Sequence, residues 1–193
     1  MKRRIPYFGL ALLVGLAVVL LAPMPLPAAR IHSSIVIARA PGDVSAYVTT
    51  PANWPRWHPS SLAVMGATDH PLRIGEQVSE DFLVAGYAGR VLWTVTKREV
   101  PTAWTINGKI EDGGSGQVSY HLTASSDGTL FERDFDYARP NLLFVLADTF
   151  KLHRLIDAES AEALRRLKAA LEGPATQAPP RMARGPSSVD GNG

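Results

Sequence analysis

From residue 31 onward the apolar positions alternate with polar ones at a period of two, and past Pro140 the period changes to near 3.6. Ile31, Ile35 and Ile37 stand between polar neighbours as far as Arg39, which predicts a half-buried strand that Pro41 ends. Asp43 is placed to cap a short helix with Val44, Tyr47 and Val48 at helical spacing, and Pro51 and Pro55 break the next stretch into a second short piece. Alternating segments follow at about 61–66, 77–84, 87–100, 103–110, 117–125 and 129–137. Six strands in succession predict an antiparallel meander, and the breaks Ala85-Gly86, Val100-Pro101, Gly113-Gly114 and Asp127-Gly128 all suit tight reversals. Leu142, Leu146, Phe150, Ile156, Leu164, Leu167 and Leu171 then describe one face of a long helix, with Pro140 in its first turn and Gly173 after its last.

The fold class that follows is α+β, with one antiparallel sheet whose apolar face is covered by the long terminal helix, the only element large enough to do so. Strands do not alternate with helices, which excludes a dinucleotide-binding sheet or a parallel barrel. The domain expected here spans 31–172. Ahead of it, Lys2, Arg3 and Arg4 precede an apolar stretch over 5–22, so 1–30 reads as a membrane anchor or a signal segment that leaves the domain outside the cytoplasm, tethered or secreted. Beyond it, Pro174, Pro179, Pro180, Gly185, Pro186 and Gly191 among small polar residues predict a disordered tail over 173–193.

Composition narrows the chemistry. The 193 residues carry a formal net charge of +2 with no dense Lys/Arg run, which argues against a nucleic-acid partner. The absence of cysteine excludes disulfides, thiolate metal sites and a cysteine nucleophile. His32, His58, His70, His121 and His153 show no metal-binding spacing, so neither a metal nor another cofactor is expected. The run Gly113-Gly114-Ser115-Gly116 lacks the ending of a phosphate loop and the spacing of a nucleophile elbow, and reads as a turn between strands.

The sequence Ala38-Arg39-Ala40-Pro41-Gly42-Asp43-Val44, followed by Val48 and Trp54-Pro55-Arg56-Trp57, resembles the opening of the START-like, or helix-grip, superfamily, which includes polyketide cyclase/dehydrase-type proteins and Bet v 1-type allergens. Leu164-Arg165-Arg166-Leu167-Lys168-Ala169-Ala170-Leu171-Glu172 resembles its last helix. The resemblance implies a curved sheet in β-α-α-β6-α order wrapped around the C-terminal helix. It also implies a cavity between them, with the short helices near Trp54, Trp57 and His58 closing one end.

Strand parity selects the side chains that would meet such a cavity. If Glu132, Asp134 and Asp136 form the solvated face of the last strand, Phe131, Arg133, Phe135 and Tyr137 point inward. A buried Arg133 needs an acidic partner or an anionic ligand group, and Glu80 shares the inner parity of Val78, Phe82 and Val84. Trp93, Trp104, Ile106, Tyr120 and Leu122 face inward by the same count. The candidate ligand-binding residues are therefore Trp54, Trp57, His58, Glu80, Trp93, Trp104, Tyr120 and Arg133. The expected partner is a hydrophobic or lipid-like small molecule, with the membrane met through 5–22. The rival readings are a cyclase or dehydratase using Glu80, His58 or Tyr120 for proton transfer, and an accessory domain that binds another protein.

Overall fold

The computed structural model describes residues 5–111 and 113–173. Helix α1 (Ile5–Leu21) is followed by β1 (Ala29–Ile37), α2 (Pro41–Val48), a 3-10 turn (Pro51–Asn53) and α3 (Trp54–Trp57). Strands β2 (Ser61–Gly66), β3 (Gln77–Val84), β4 (Tyr87–Glu99), β5 (Ala103–Ile110), β6 (Ser115–Ser125) and β7 (Gly128–Tyr137) come next. Helix α4 (Leu142–Ala147), a π turn (Asp148–Leu152) and α5 (His153–Glu172) end the described chain.

The strands form one seven-stranded antiparallel sheet in the order β1-β7-β6-β5-β4-β3-β2. Consecutive β1 and β2 lie at opposite edges, so the chain must cross between them, and α2 and α3 make that crossing. The sheet curves around α5, whose buried residues Ile156, Ser160, Ala163, Leu164 and Leu167 recur at helical spacing. Ala163, Leu164 and Leu167 meet Val78, Trp93, Val95, Trp104, Ile106, Val118, Leu122 and Phe131 in one core, and Ile156 packs with Ala29, Ile31 and Tyr137 in a second.

The outer face of β7 is charged as its parity requires. Register sets Arg30 opposite Asp136 and His32 opposite Asp134. Arg30 donates to both oxygens of Asp136 at 2.7 and 2.9 Å, and the His32 ring lies 2.9 Å from Asp134. The inner face carries the side chains that alternate with these, with Phe131 and Arg133 buried.

Three local expectations are corrected. Helix α2 begins at Pro41, with Ala40 as its cap residue and no side-chain cap bond; Asp43 lies inside its first turn, where its charge favours the helix N-terminus. The terminal helix is not continuous: Asn141 caps α4 by accepting from the Phe144 N–H at 2.8 Å, and the π turn separates α4 from α5. Leu146 and Phe150 do not extend the buried face of α5 and are exposed. The offset instead turns Asp148 inward, where it is 3% exposed and accepts from the Tyr137 hydroxyl.

The apolar stretch at the N-terminus forms α1, which is 17 residues long. At 1.5 Å per residue it extends about 26 Å, against a bilayer core of about 30 Å. No helix among the described residues is long and apolar enough to cross a membrane. Lys2, Arg3 and Arg4, and the tail expected after Gly173, lie outside the described residues.

Candidate functional site

A cavity of about 480 Å³ lies between the concave face of the sheet, α3 and α5, with Phe144 and Leu152 at the end nearest α4. Its size falls within the range of small-molecule pockets, roughly 300–1,000 Å³. Trp54, Trp57, His58, Glu80, Trp93, Tyr120 and Arg133 all line it, so elements far apart in sequence converge on one space. Trp104 does not. It lies one layer behind, stacked on Tyr120 with ring centroids 5.2 Å apart and edge-on to Trp54 at 6.3 Å. The inward parity of β5 is as expected, but Tyr120 on the neighbouring strand covers the Trp104 ring.

The aromatic groups of the walls are held by hydrogen bonds at Trp54 and Trp93 and by ring packing at Trp57. Trp54 donates its indole N–H to the Val48 carbonyl at 2.9 Å, which fixes α3 against α2. Trp57 is 1% exposed and meets Tyr120 edge-on at 6.5 Å. Trp93 donates to Glu80 Oε2 at 2.6 Å, a bond between residues diagonal to each other on β4 and β3.

Glu80, the candidate acidic partner that the sequence offers for Arg133, forms no ion pair with it within 4.0 Å. The sheet order explains why. Strands β3 and β7 are four strand spacings apart, about 19 Å along the sheet, and the nearer Trp93 indole takes the carboxylate. Arg133 turns toward α5 instead, donating from Nη1 to Ser160 Oγ at 3.0 Å, and its guanidinium lies 5.4 Å from the centre of the Phe135 ring.

Burial sets the protonation of the cavity groups. It raises the Glu80 carboxyl above the usual carboxylate range, against the opposing influence of its hydrogen bonds and of the Arg133 charge. Burial, and secondarily Arg133, holds the His58 imidazole well below its ordinary value, so the ring is neutral at neutral pH. The Tyr120 hydroxyl is pushed up to about 12, chiefly by burial. An unfolded tyrosine ionises near 10, so Tyr120 contributes stability that is complete below about pH 10 and is lost as pH rises toward 12. Urea midpoints measured across that range should fall, and Tyr120→Phe should reduce the fall. An equal fall in the variant would show that Tyr120 is not a buried phenol.

Two parts of the site were not read from the sequence. Glu159 on α5 accepts from Ser60 Oγ at 2.7 Å and from the Ala85 backbone N–H at 2.9 Å. This carboxylate clips the α3–β2 connection and the β3–β4 hairpin to one side of the cavity. The hairpin turn has φ of 49° at Ala85 and 86° at Gly86, so a residue with a side chain occupies a left-handed position there. The second part is the cluster at the π turn, where the Tyr137 hydroxyl also lies 3.2 Å from His153 Nδ1 and Arg139 approaches Asp148 at 3.9 Å. Burial and Asp148 together raise the Tyr137 hydroxyl. No group of three histidine or carboxylate side chains among the described residues is arranged to hold a metal ion.

The model of the polyketide cyclase/dehydrase and lipid transport family matches residues 28–172, about three quarters of the chain. The chain belongs to this family. Its fold, START-like and of helix-grip type, recurs in solved structures of low sequence identity. A Chromobacterium violaceum protein is similar at 16% identity over 76% of this chain and 99% of its own, with a TM-score of 0.58. A Rhodobacter sphaeroides protein is 21% identical over 76% of this chain and 94% of its own, with a TM-score of 0.57. The ginseng major latex-like protein 151 from Panax ginseng is 14% identical over 76% of this chain and 99% of its own, with a TM-score of 0.55. No curated protein sequence matches the chain.

Proposed function

We propose that this member of the family binds an apolar or amphipathic small molecule, lipid-like in character, in the cavity between its sheet and α5. The observation that carries the reading is the cavity itself: about 480 Å³, walled by tryptophan, phenylalanine and aliphatic side chains, with a few fixed polar groups. Burial of apolar ligand surface would supply affinity at roughly 25 cal/mol per Å² before ordering costs. The polar groups would orient one end of the ligand. The family description, which includes lipid transport, supports the same reading.

The cyclase or dehydratase reading has less support. Burial makes His58 a weak base and keeps the proton on Tyr120 up to about 12, so neither is a ready base at neutral pH, and the raised Glu80 carboxyl is a weaker acid than an ordinary glutamate. We place the domain at a membrane surface outside the cytoplasm. The basic residues ahead of 5–22 support this, as do the exposed apolar side chains of α1, among them Leu10, Leu13, Leu16 and Val19.

Three tryptophans line the cavity, so intrinsic fluorescence reports its occupation directly. Titration of the full chain with an uncharged apolar dye such as Nile red should change tryptophan emission saturably, at one dye per chain. Emission that changes without saturating, or not at all, would overturn a ligand-binding cavity.

A further inference from the structure

We propose that the ligand carries one anionic oxygen group on its apolar body, a carboxylate being the matching form, and that the Arg133 guanidinium receives it. This rests on the ligand-binding reading above and names the chemistry of the ligand's polar end.

Arg133 projects from the middle of β7 into the cavity and is 4% exposed. A guanidinium presents five N–H donors in a planar fork and does not lose its charge in proteins. One of its nitrogens is satisfied, by Ser160, while Nε is buried with no hydrogen-bond partner. No carboxylate oxygen lies within 4.0 Å of the guanidinium among the described residues. A buried cation left in this state is costly, and an approaching carboxylate would remove the cost by accepting from the open side of the fork.

The surroundings fit an anion and one only. Glu80, the one acidic side chain on the same inner wall, accepts from Trp93 at 2.6 Å, and burial favours its neutral form, so it opposes an incoming negative charge weakly. The other acidic group at the cavity, Glu159, is engaged by Ser60 and by the Ala85 N–H on the hairpin side. His58 is neutral and Tyr120 protonated, so neither adds a charge. The Phe135 ring beside Arg133 begins the apolar wall along which the body of the ligand would lie. A neutral ligand would leave the buried cation unmatched; a dianion would bring a charge that the cavity does not answer.

The test uses dodecanoate and methyl dodecanoate, which differ only in the charge and bulk of the head group, as competitors of Nile red on the full chain at neutral pH. Dodecanoate should bind at least about tenfold more tightly than the ester, as a charge-assisted bidentate contact requires. Arg133→Gln should bring the two to similar affinity. Equal binding of acid and ester to the unsubstituted chain would overturn the anionic head group and leave the cavity reading standing. Dye binding that neither compound displaces would do the same. Failure of the dye itself to bind would overturn the cavity reading instead. The comparison on the unsubstituted chain holds even where Arg133→Gln does not fold.

Discussion

Trp104→Ala is expected to destabilise the protein by about 3–5 kcal/mol, the range for deleting a large buried aromatic. Trp104 is 2% exposed and forms the plate on which Tyr120 stacks, with Trp54 at its edge. Its indole N–H has no hydrogen-bond partner, so its removal orphans no acceptor, and the cost is packing and cavity alone. The void would lie directly behind Tyr120, allowing that ring to leave the cavity wall. Urea unfolding should give a lowered midpoint at unchanged slope, and dye binding should weaken in the same variant. A loss below about 1 kcal/mol would mean that the ring is not part of the packed core.

Gly108→Ala is expected to cost about 1–3 kcal/mol, although it adds only one methyl group. Gly108 faces inward on β5 directly beneath Trp93, and a Cβ there would sit 2.6 Å from Trp93 Cζ3 and 2.8 Å from Val91 Cγ2. The ring cannot swing away freely because its Nε1 is held by Glu80 at 2.6 Å. Relief must come from pushing Trp93 into the cavity or parting β4 from β5. The variant should therefore lose both stability and ligand affinity, read by urea unfolding and dye titration. Unaltered values for both would show that Trp93 has room that its packing denies it.

Both sites are legible in the sequence as far as strand parity reaches. The inward position of Trp104 and Trp93 follows from parity, because a period of two leaves each strand residue only two faces to choose from. The same argument separates Arg133 from the acidic row Glu132, Asp134 and Asp136, and the register with β1 gives that row its partners. Parity does not say which inward residue reaches which. Glu80 meets Trp93 rather than Arg133 because sheet order decides neighbours, and sheet order is a property of the whole chain. Trp104 is hidden from the cavity for a similar reason: one ring lies over another, and no spacing encodes that.

The helical part is legible only where its period is unbroken. Ile156, Leu164 and Leu167 lie on the buried face, whereas Leu146 and Phe150 fit the same period in sequence but are exposed, because the π turn at Asp148–Leu152 shifts the phase between them. A signal was present: Asp148 is a charged residue amid an apolar run, and burying it demanded a partner, which Tyr137 supplies. Glu159 offered one too, three residues after Ile156 and four before Ala163, on the inner side of α5. Its partners, Ser60 and the Ala85 N–H, come from loops whose approach only the folded sheet determines.

Native mass spectrometry of the full chain as purified tests the ligand-binding cavity most directly. The expected result is the chain carrying one apolar molecule that is released under denaturing conditions, or, where the protein is isolated empty, uptake of one equivalent of an added amphipathic acid. A bare chain that takes up none of the apolar compounds offered would contradict it.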